Sequence, residues 1–228
     1  MDIIAHIYTD FPTKFGIPRQ SGLVESLEAK IVFEKEYRNA EALRGLSEYS
    51  HIWLLWQFSE SIKEKWSPTV RPPRLGGNKR VGVFATRSPY RPNPIGLSSV
   101  KLKRIEISQE LGPVIFVEGA DILNGTPIYD IKPYLPFTDS HPEAVGGFSD
   151  RVKQYSLDVS FPSELLSLLP CEKHKALKEL LAQDPRPSYQ DDSDRLYGLN
   201  FADFEIKFSV SQNTLYVKSV EKIKPVCR

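Results

Sequence analysis

Cysteine is scarce in this 228-residue chain: Cys171 and Cys227 are the only two, and they stand far apart. They match no metal-ligand spacing, so neither a disulfide framework nor a zinc site is indicated and ordinary reduced thiols are expected. Long hydrophobic runs are lacking too. The longest strongly apolar stretch, around Ile52 to Phe58, falls far short of the roughly 20 residues that cross a bilayer, so no membrane partner is expected. The N-terminus has Asp2 and no basic region ahead of an apolar run. It is unlike a secretory signal, and a cytoplasmic location is expected.

Familiar chemical signatures are missing as well. There is no Gly-x-Gly-x-x-Gly, no Gly-x-x-x-x-Gly-Lys-Ser/Thr, no His-Glu-x-x-His and no Cys-x-x-Cys. Standard dinucleotide, nucleoside-triphosphate and zinc chemistry are thereby disfavoured. The absence of Gly-x-Ser-x-Gly, and of any Ser/His/Asp or metal constellation, speaks against a small-molecule hydrolase.

What is present is an ordinary soluble composition, 40% hydrophobic and 26% charged, which argues for a globular chain and against disorder. Net charge is only +1, yet its distribution is uneven. Lys65, Arg71, Arg74, Lys79, Arg80, Arg87, Arg91, Lys101, Lys103 and Arg104 occur with no acidic residue among them until Glu106. Setting these ten aside leaves 20 basic against 29 acidic residues elsewhere, so the centre is a cationic island. A polyanionic partner fits it; a merely solvated charged loop is the plainer reading.

Apolar runs bounded by Gly and Pro predict strands over Ile3–Tyr8, Leu27–Phe33, His51–Phe58, Val81–Ala85, Leu97–Ile107 and Val114–Gly119. Ala40–Leu46 reads as a short helix with Gly45 near its end, and Ser67–Arg80 as a long Pro- and Gly-rich loop. Many strands with little helix between them predict a mainly β fold, a barrel or closed sheet, over residues 1–150. After Gly146-Gly147, residues 151–228 predict a small α+β appendage. It has helices over Ser163–Leu169, capped by Ser163, and Lys173–Ala182, then a hairpin of Phe201–Val210 and Thr214–Val220.

Three segments carry candidate chemistry. In Ala85-Thr86-Arg87-Ser88-Pro89-Tyr90-Arg91-Pro92-Asn93-Pro94-Ile95-Gly96-Leu97 the prolines fix φ and remove backbone donors, giving a stiff extended loop. On it Arg87 and Arg91 can fork onto carboxylate or phosphate, Asn93 can donate and accept, and Tyr90 offers a stacking face. A structural crossover is the alternative. In Asp121 to Tyr134, the alternation of Asp130, Lys132 and Tyr134 puts a carboxylate, an ammonium and a phenol on one side of an extended chain. That is an acid/base and orientation set, or else a salt-bridged strand edge. Phe15-Gly16-Ile17-Pro18-Arg19-Gln20 is a turn carrying a forked donor and an amide.

Together these segments resemble the TrmO (YaeB-like) family of tRNA N6-threonylcarbamoyladenosine methyltransferases. The resemblance rests on Gly16 to Gln20, the strand opening His51-Ile52-Trp53, the Arg87 to Gly96 loop and Asp121 to Tyr134. It continues into Asp184-Pro185-Arg186-Pro187-Ser188-Tyr189 and Tyr197-Gly198. Asn124 stands where many members would carry Asp. The resemblance implies a homodimeric β-barrel methyltransferase that binds S-adenosylmethionine near the barrel mouth. It implies Pro18, Arg19, Gln20, His51, Ile52, Arg87, Leu97, Asp121, Ile122, Leu123 and Asn124 as cofactor contacts. For His51 alone, a hydrogen-bonded histidine heading a buried strand is the plainer reading. The expected reaction is methylation of threonylcarbamoyladenosine beside the tRNA anticodon. In it Asp130 is the first candidate base, Tyr134 the second, and Lys132 or Arg91 a holder of the threonyl carboxylate, with Asn93 and Tyr90 beside the substrate. The competing function is a non-catalytic RNA-binding barrel.

Overall fold

The computed structural model describes residues 1–72, 75, 79–152, 156–186, 192 and 195–223. Arg74, Pro73, Gly76, Gly77, Pro187 to Tyr189 and Cys227, all used in the sequence argument, lie outside them. The strands in chain order are β1 (Ala5–Tyr8), β2 (Glu28–Phe33), β3 (His51–Gln57), β4 (Thr69–Val70), β5 (Val81–Gly82) and β6 (Ile95–Ser108). There follow β7 (Gly112–Glu118), β8 (Thr126–Pro133), β9 (Asp158–Ser160), β10 (Tyr197–Phe201), β11 (Phe204–Ser211) and β12 (Thr214–Lys222). Short helices are α1 (Pro136–Asp139), α2 (Ser163–Leu166) and α3 (Cys171–Ala182).

Six strands close into an antiparallel barrel in the order β1-β2-β7-β6-β3-β8. Closure leaves no open sheet edge. The inward positions are apolar: Ala29 and Ile31 on β2, Ile52, Leu54 and Trp56 on β3, and Ile115 and Val117 on β7 are all buried in one cluster. Along β2 the apolar Ala29, Ile31 and Phe33 alternate with Glu28 and Lys30, the period of a sheet with one wetter face. In β8 the alternation is interrupted. Its partners step from Leu55↔Asp130 to Trp56↔Ile128, leaving Tyr129 as an extra residue in a bulge. The bulge lets Ile128 and Ile131 both serve the core, and sends Asp130 and Lys132 outward.

The second unit is a four-stranded sheet, β10-β11-β12-β9, with β9 parallel to β12. Residues Ala176, Leu177, Leu180 and Leu181 of α3 are buried against it. This core also takes Phe11, Val24 and Leu27, from the segment between β1 and β2. Phe11 packs edge-on against Phe201 with centroids 6.0 Å apart. The backbone Ala202 N–H donates to Asp10 O at 2.7 Å, and Lys173 Nζ pairs with Asp10 Oδ2 at 2.5 Å. Gly16, with φ of 88°, lies so close to Leu199 that a Cβ there would overlap its Cδ1 at 2.0 Å. The turn carrying Pro18 to Gln20 is thereby clamped between barrel and second unit.

Several local expectations change. Only Val81–Gly82 of the Val81–Ala85 run is strand; Val83 N–H donates to Pro68 O and the chain turns into a single 3₁₀ helix over Val83–Ala85. Ala40–Leu46 forms 3₁₀ turns, Ala40–Leu43 and Leu46–Glu48, separated by Gly45 at φ 82°. Ser163 is the first residue of α2 rather than its cap; Pro162 holds the cap position, without a side-chain hydrogen bond. Strand β10 was missed. The Ser67–Arg80 loop contains β4, which pairs with β5 just beyond it.

Candidate active site

A cleft of about 520 Å³ opens where β3, β6 and β8 end on one rim of the barrel. Trp56, Phe58, Ile95 and Leu97 supply its apolar surface; Arg19, Gln20, Arg87, Arg91, Asp121, Glu60 and Lys14 supply its polar one. The indole of Trp56 fits because Gly96, opposite it in the ladder, has no side chain. A Cβ at Gly96 would come within 2.2 Å of the ring.

A buried polar relay ties this floor to Asp121. Trp56 Nε1 donates to Ser98 Oγ at 3.0 Å, and Ser98 Oγ donates to Asp121 Oδ1 at 2.6 Å. Burial pushes the Asp121 carboxyl above the usual aspartate range, against the Ser98 hydrogen bond and the Arg87 charge, which pull it down. Arg87 donates to the side-chain carbonyl of Gln20. Arg19 Nη2 donates to Asp184 O at 3.1 Å, linking the cleft to the second unit. There Asp184 and Arg186 form a buried two-point pair at 2.9 and 3.0 Å. Arg91 staples its own loop, donating to Thr86 O at 3.0 Å and Ser88 O at 3.4 Å, while still lining the cleft.

Of the cofactor candidates, Pro18, Arg19, Gln20, Arg87, Leu97, Asp121 and Leu123 meet in this one cleft. The side chains of Ile52 and Ile122 belong to the barrel core. Asn124 is turned to the residue after β1, its Oδ1 accepting from Thr9 N–H at 3.0 Å. His51 heads β3 at the far rim, about 20 Å along the strand from Gln57. It is exposed and bonds Ser50 Oγ through Nδ1 at 2.9 Å. The exposed Tyr90 and Asn93 stand on the loop beside the cleft without lining it.

The trio of Asp130, Lys132 and Tyr134 also lies outside the cleft, on the barrel's outer wall. Lys132 Nζ pairs with Asp130 Oδ2 at 2.9 Å. Tyr134 packs against Trp53, ring centroids 5.5 Å apart, and faces the His51 ring at 6.2 Å. Trp53 Nε1 donates to Asp139 Oδ2 at 2.8 Å, which also accepts from Leu135 N–H, and those two bonds hold the Asp139 carboxyl below its usual range. Sequence reading missed Trp56, Phe58 and Ser98 as site residues. The first two sat inside a strand-like apolar run, and a serine amid hydrophobic strand residues is the one signal that pointed to Ser98.

The cationic island divides in two. Lys101, Lys103 and Arg104 on β6 are engaged by Glu118, Glu28 and Glu106 on the barrel wall. These ion pairs lower the Glu28 and Glu118 carboxyls and raise Lys103 and Arg104, each against an opposing contribution from burial. From the stretch between Lys65 and Arg91, Arg87 and Arg91 line the cleft, while Lys65, Arg71, Lys79 and Arg80 are exposed.

A closed barrel with a mixed apolar and ionic cleft at one rim, clamped by a second small sheet, has a known two-part counterpart. Residues 6–140 match the tRNA-methyltransferase O N-terminal domain, and residues 154–223 the TrmO C-terminal domain. Over 226 residues the chain is 40% identical to the tRNA (adenine(37)-N6)-methyltransferase of Escherichia coli strain K12, covering 96% of each. A protein of the same name from Eikenella corrodens is 44% identical over 177 residues, 77% of this chain and 99% of that one. The crystal structure of TrmO from Pseudomonas aeruginosa superposes with a TM-score of 0.76 at 30% identity, covering 96% of each chain. The chain belongs to the TrmO family. A non-catalytic RNA-binding barrel is not favoured, since the named relatives are enzymes.

Proposed function

We propose that this protein transfers the methyl group of S-adenosylmethionine to N6 of threonylcarbamoyladenosine beside the anticodon of tRNA. The observation that carries this reading is the rim cleft, where Arg19, Arg87 and a half-buried Asp121 converge on the Trp56 and Leu97 surface. Its volume lies in the range of small-molecule sites, and few convergent polar groups over an apolar floor suit a ligand with a flat base and charged ends. S-adenosylmethionine supplies an electrophilic methyl on sulfur.

The chain's own contribution is alignment. Arg19 and Arg87 offer forked donors to a carboxylate, while Asp121, oriented by Ser98, offers an acceptor to a cation or hydroxyl. Arg91 and the exposed Asn93 and Tyr90 stand where an RNA entering the cleft would pass. The acylated amine at N6 is a weak nucleophile, so a base that takes its proton during transfer helps. Asp130 is assigned that role, with Lys132 orienting its carboxylate and Tyr134 beside it.

Within one chain these three residues face away from the cleft, so the assignment includes a homodimer in which the outer wall of one protomer meets the cleft of the other. Exposed apolar side chains just beyond Tyr134 support it: Phe137 is 86% and Val145 90% exposed. The reading also places the enzyme in the cytoplasm, with its tRNA. Calorimetry with S-adenosylmethionine, followed by nucleoside mass spectrometry of a modified anticodon stem-loop, tests it. Cofactor binding and one added methyl on threonylcarbamoyladenosine are expected; stem-loop binding without either would overturn it.

A further inference from the structure

Beside the cleft, β4 and β5 bring two large rings together on the surface. The antiparallel pair sets Thr69 against Gly82 and Val70 against Val81, and Val83 N–H donates to Pro68 O at 3.0 Å. Trp66, just before β4, therefore meets Phe84, just after β5, with ring centroids 6.1 Å apart and planes inclined by 31°. Neither ring is in either core: Trp66 is 51% and Phe84 72% exposed. Packing does not account for two adjacent open rings, since a soluble chain gains by covering them.

Both chain segments run straight into the site. Ser59 to Ser61, upstream of Trp66, and Thr86 and Arg87, downstream of Phe84, line the cleft. Lys65 adjoins Trp66 in the chain, and the exposed cations Arg71, Lys79 and Arg80 flank the other end of the same two-stranded pair, with Glu64 the acid next to Lys65. Arg80 reaches Thr69 Oγ1 at 3.4 Å. Nearby, Lys63 Nζ sits 4.2 Å above the exposed Tyr90 ring. Open aromatic faces among cations are what unpaired nucleotides require: bases stack on the rings while phosphates meet the charges. Two copies meeting patch to patch would bring like charges together, which opposes self-association through the rings.

We propose that Trp66 and Phe84 form a stacking platform for an unpaired base of the RNA substrate, next to the nucleotide held in the cleft. The proposal rests on the methyltransferase reading for the identity of the RNA, and it explains how a loop nucleotide is kept unstacked from its neighbour while its own base enters the site. The platform selects for single-stranded loop over duplex, because paired bases cannot offer a face.

The test is binding of the anticodon stem-loop, and of a fully paired RNA of equal length, to the full chain and to Trp66→Ala, Phe84→Ala and Trp66→Phe. Calorimetry with S-adenosylmethionine and sedimentation run alongside. Each alanine is expected to weaken stem-loop binding by about 5- to 100-fold, the range for a lost base-ring stack, while Trp66→Phe retains most of it. Duplex binding, cofactor affinity and oligomeric state should not change. The platform is overturned if the alanine variants hold the stem-loop like the parent, if loop and duplex weaken alike, or if the variants change oligomeric state. Should the parent bind the loop in this ring-dependent way yet transfer no methyl, the platform stands and the methyltransferase reading fails. Methyl transfer with ring-independent binding means the reverse.

Discussion

Asp121 and Asp130 flank the same stretch of chain, yet the barrel gives them opposite surroundings. Asp121 lies in the rim cleft, accepts a 2.6 Å hydrogen bond from Ser98 and is pushed toward protonation by burial. Asp130 stands on the outer wall, with Lys132 as its partner at 2.9 Å. Asp121 lies in the connection ahead of β8, whereas the β8 bulge at Tyr129 sets the outward direction of Asp130. Residue type therefore says little about role: two aspartates nine residues apart in the chain meet a buried cleft floor and an exposed wall.

The largest expected effect falls on the outer carboxylate. Asp130→Asn keeps size and hydrogen-bonding capacity, so single-turnover methylation should drop by about 10²- to 10⁴-fold while cofactor and RNA affinity hold. Rates equal to the parent's across pH would make Asp130 structural and pass the role to Tyr134. Next comes Arg87→Ala on the cleft side. It should weaken S-adenosylmethionine binding by about 10-fold or more, as loss of a charge-assisted contact does, with an unchanged melt because Arg87 is outside both cores. Unaltered affinity in calorimetry would remove Arg87 from the site.

Asp121→Asn sharpens the contrast in stability. Because the folded carboxyl is raised, the native state holds its proton where the unfolded chain has lost it, so this group's contribution to stability rises as pH falls through the folded value. The asparagine variant should thus melt higher than the parent at neutral pH, and the gain should shrink on acidification even as cofactor binding is lost. A lower melt throughout would mean that Asp121 is a structural anchor. The smallest effect is expected at Lys103, tied to Glu28 and Glu118 on the wall. Lys103→Gln should move the melting temperature by no more than about 2 °C and leave stem-loop affinity nearly intact, as for other exposed ion pairs. A large loss of RNA binding would restore the whole cationic island as one surface.

The barrel was legible because its strands alternate: the pattern of Ala29, Ile31 and Phe33 against Glu28 and Lys30 needed no tertiary information. Strand β8 was not read as one, since Pro127 and Pro133 suggest a broken run; closure tolerates them at a paired strand start and at the strand's end. The cleft was half legible. Arg87, Arg91 and Asp121 carry unusual local chemistry, whereas Trp56 and Ser98 look like strand filler until Gly96 and the ladder bring them together. The alternation of Asp130, Lys132 and Tyr134 was read correctly as one face, but which way that face points depends on the opposite strand. Nor does local sequence reveal that Phe11, Val24 and Leu27 leave the barrel for the second core.

In the proposed homodimer these two regions, apart within one chain, make one site. Equal mixtures of Arg87→Ala and Asp130→Asn test this most directly, assayed at S-adenosylmethionine well below the parent's dissociation constant so that each variant is strongly impaired alone; the two defects can then complement only across subunits. In a two-fold dimer assembled at random from equal parts, half the molecules are mixed and each of these carries one wholly intact site, so methylation should return to about one quarter of the parent rate. A mixture as inactive as its components, with subunit exchange verified, would contradict the shared site.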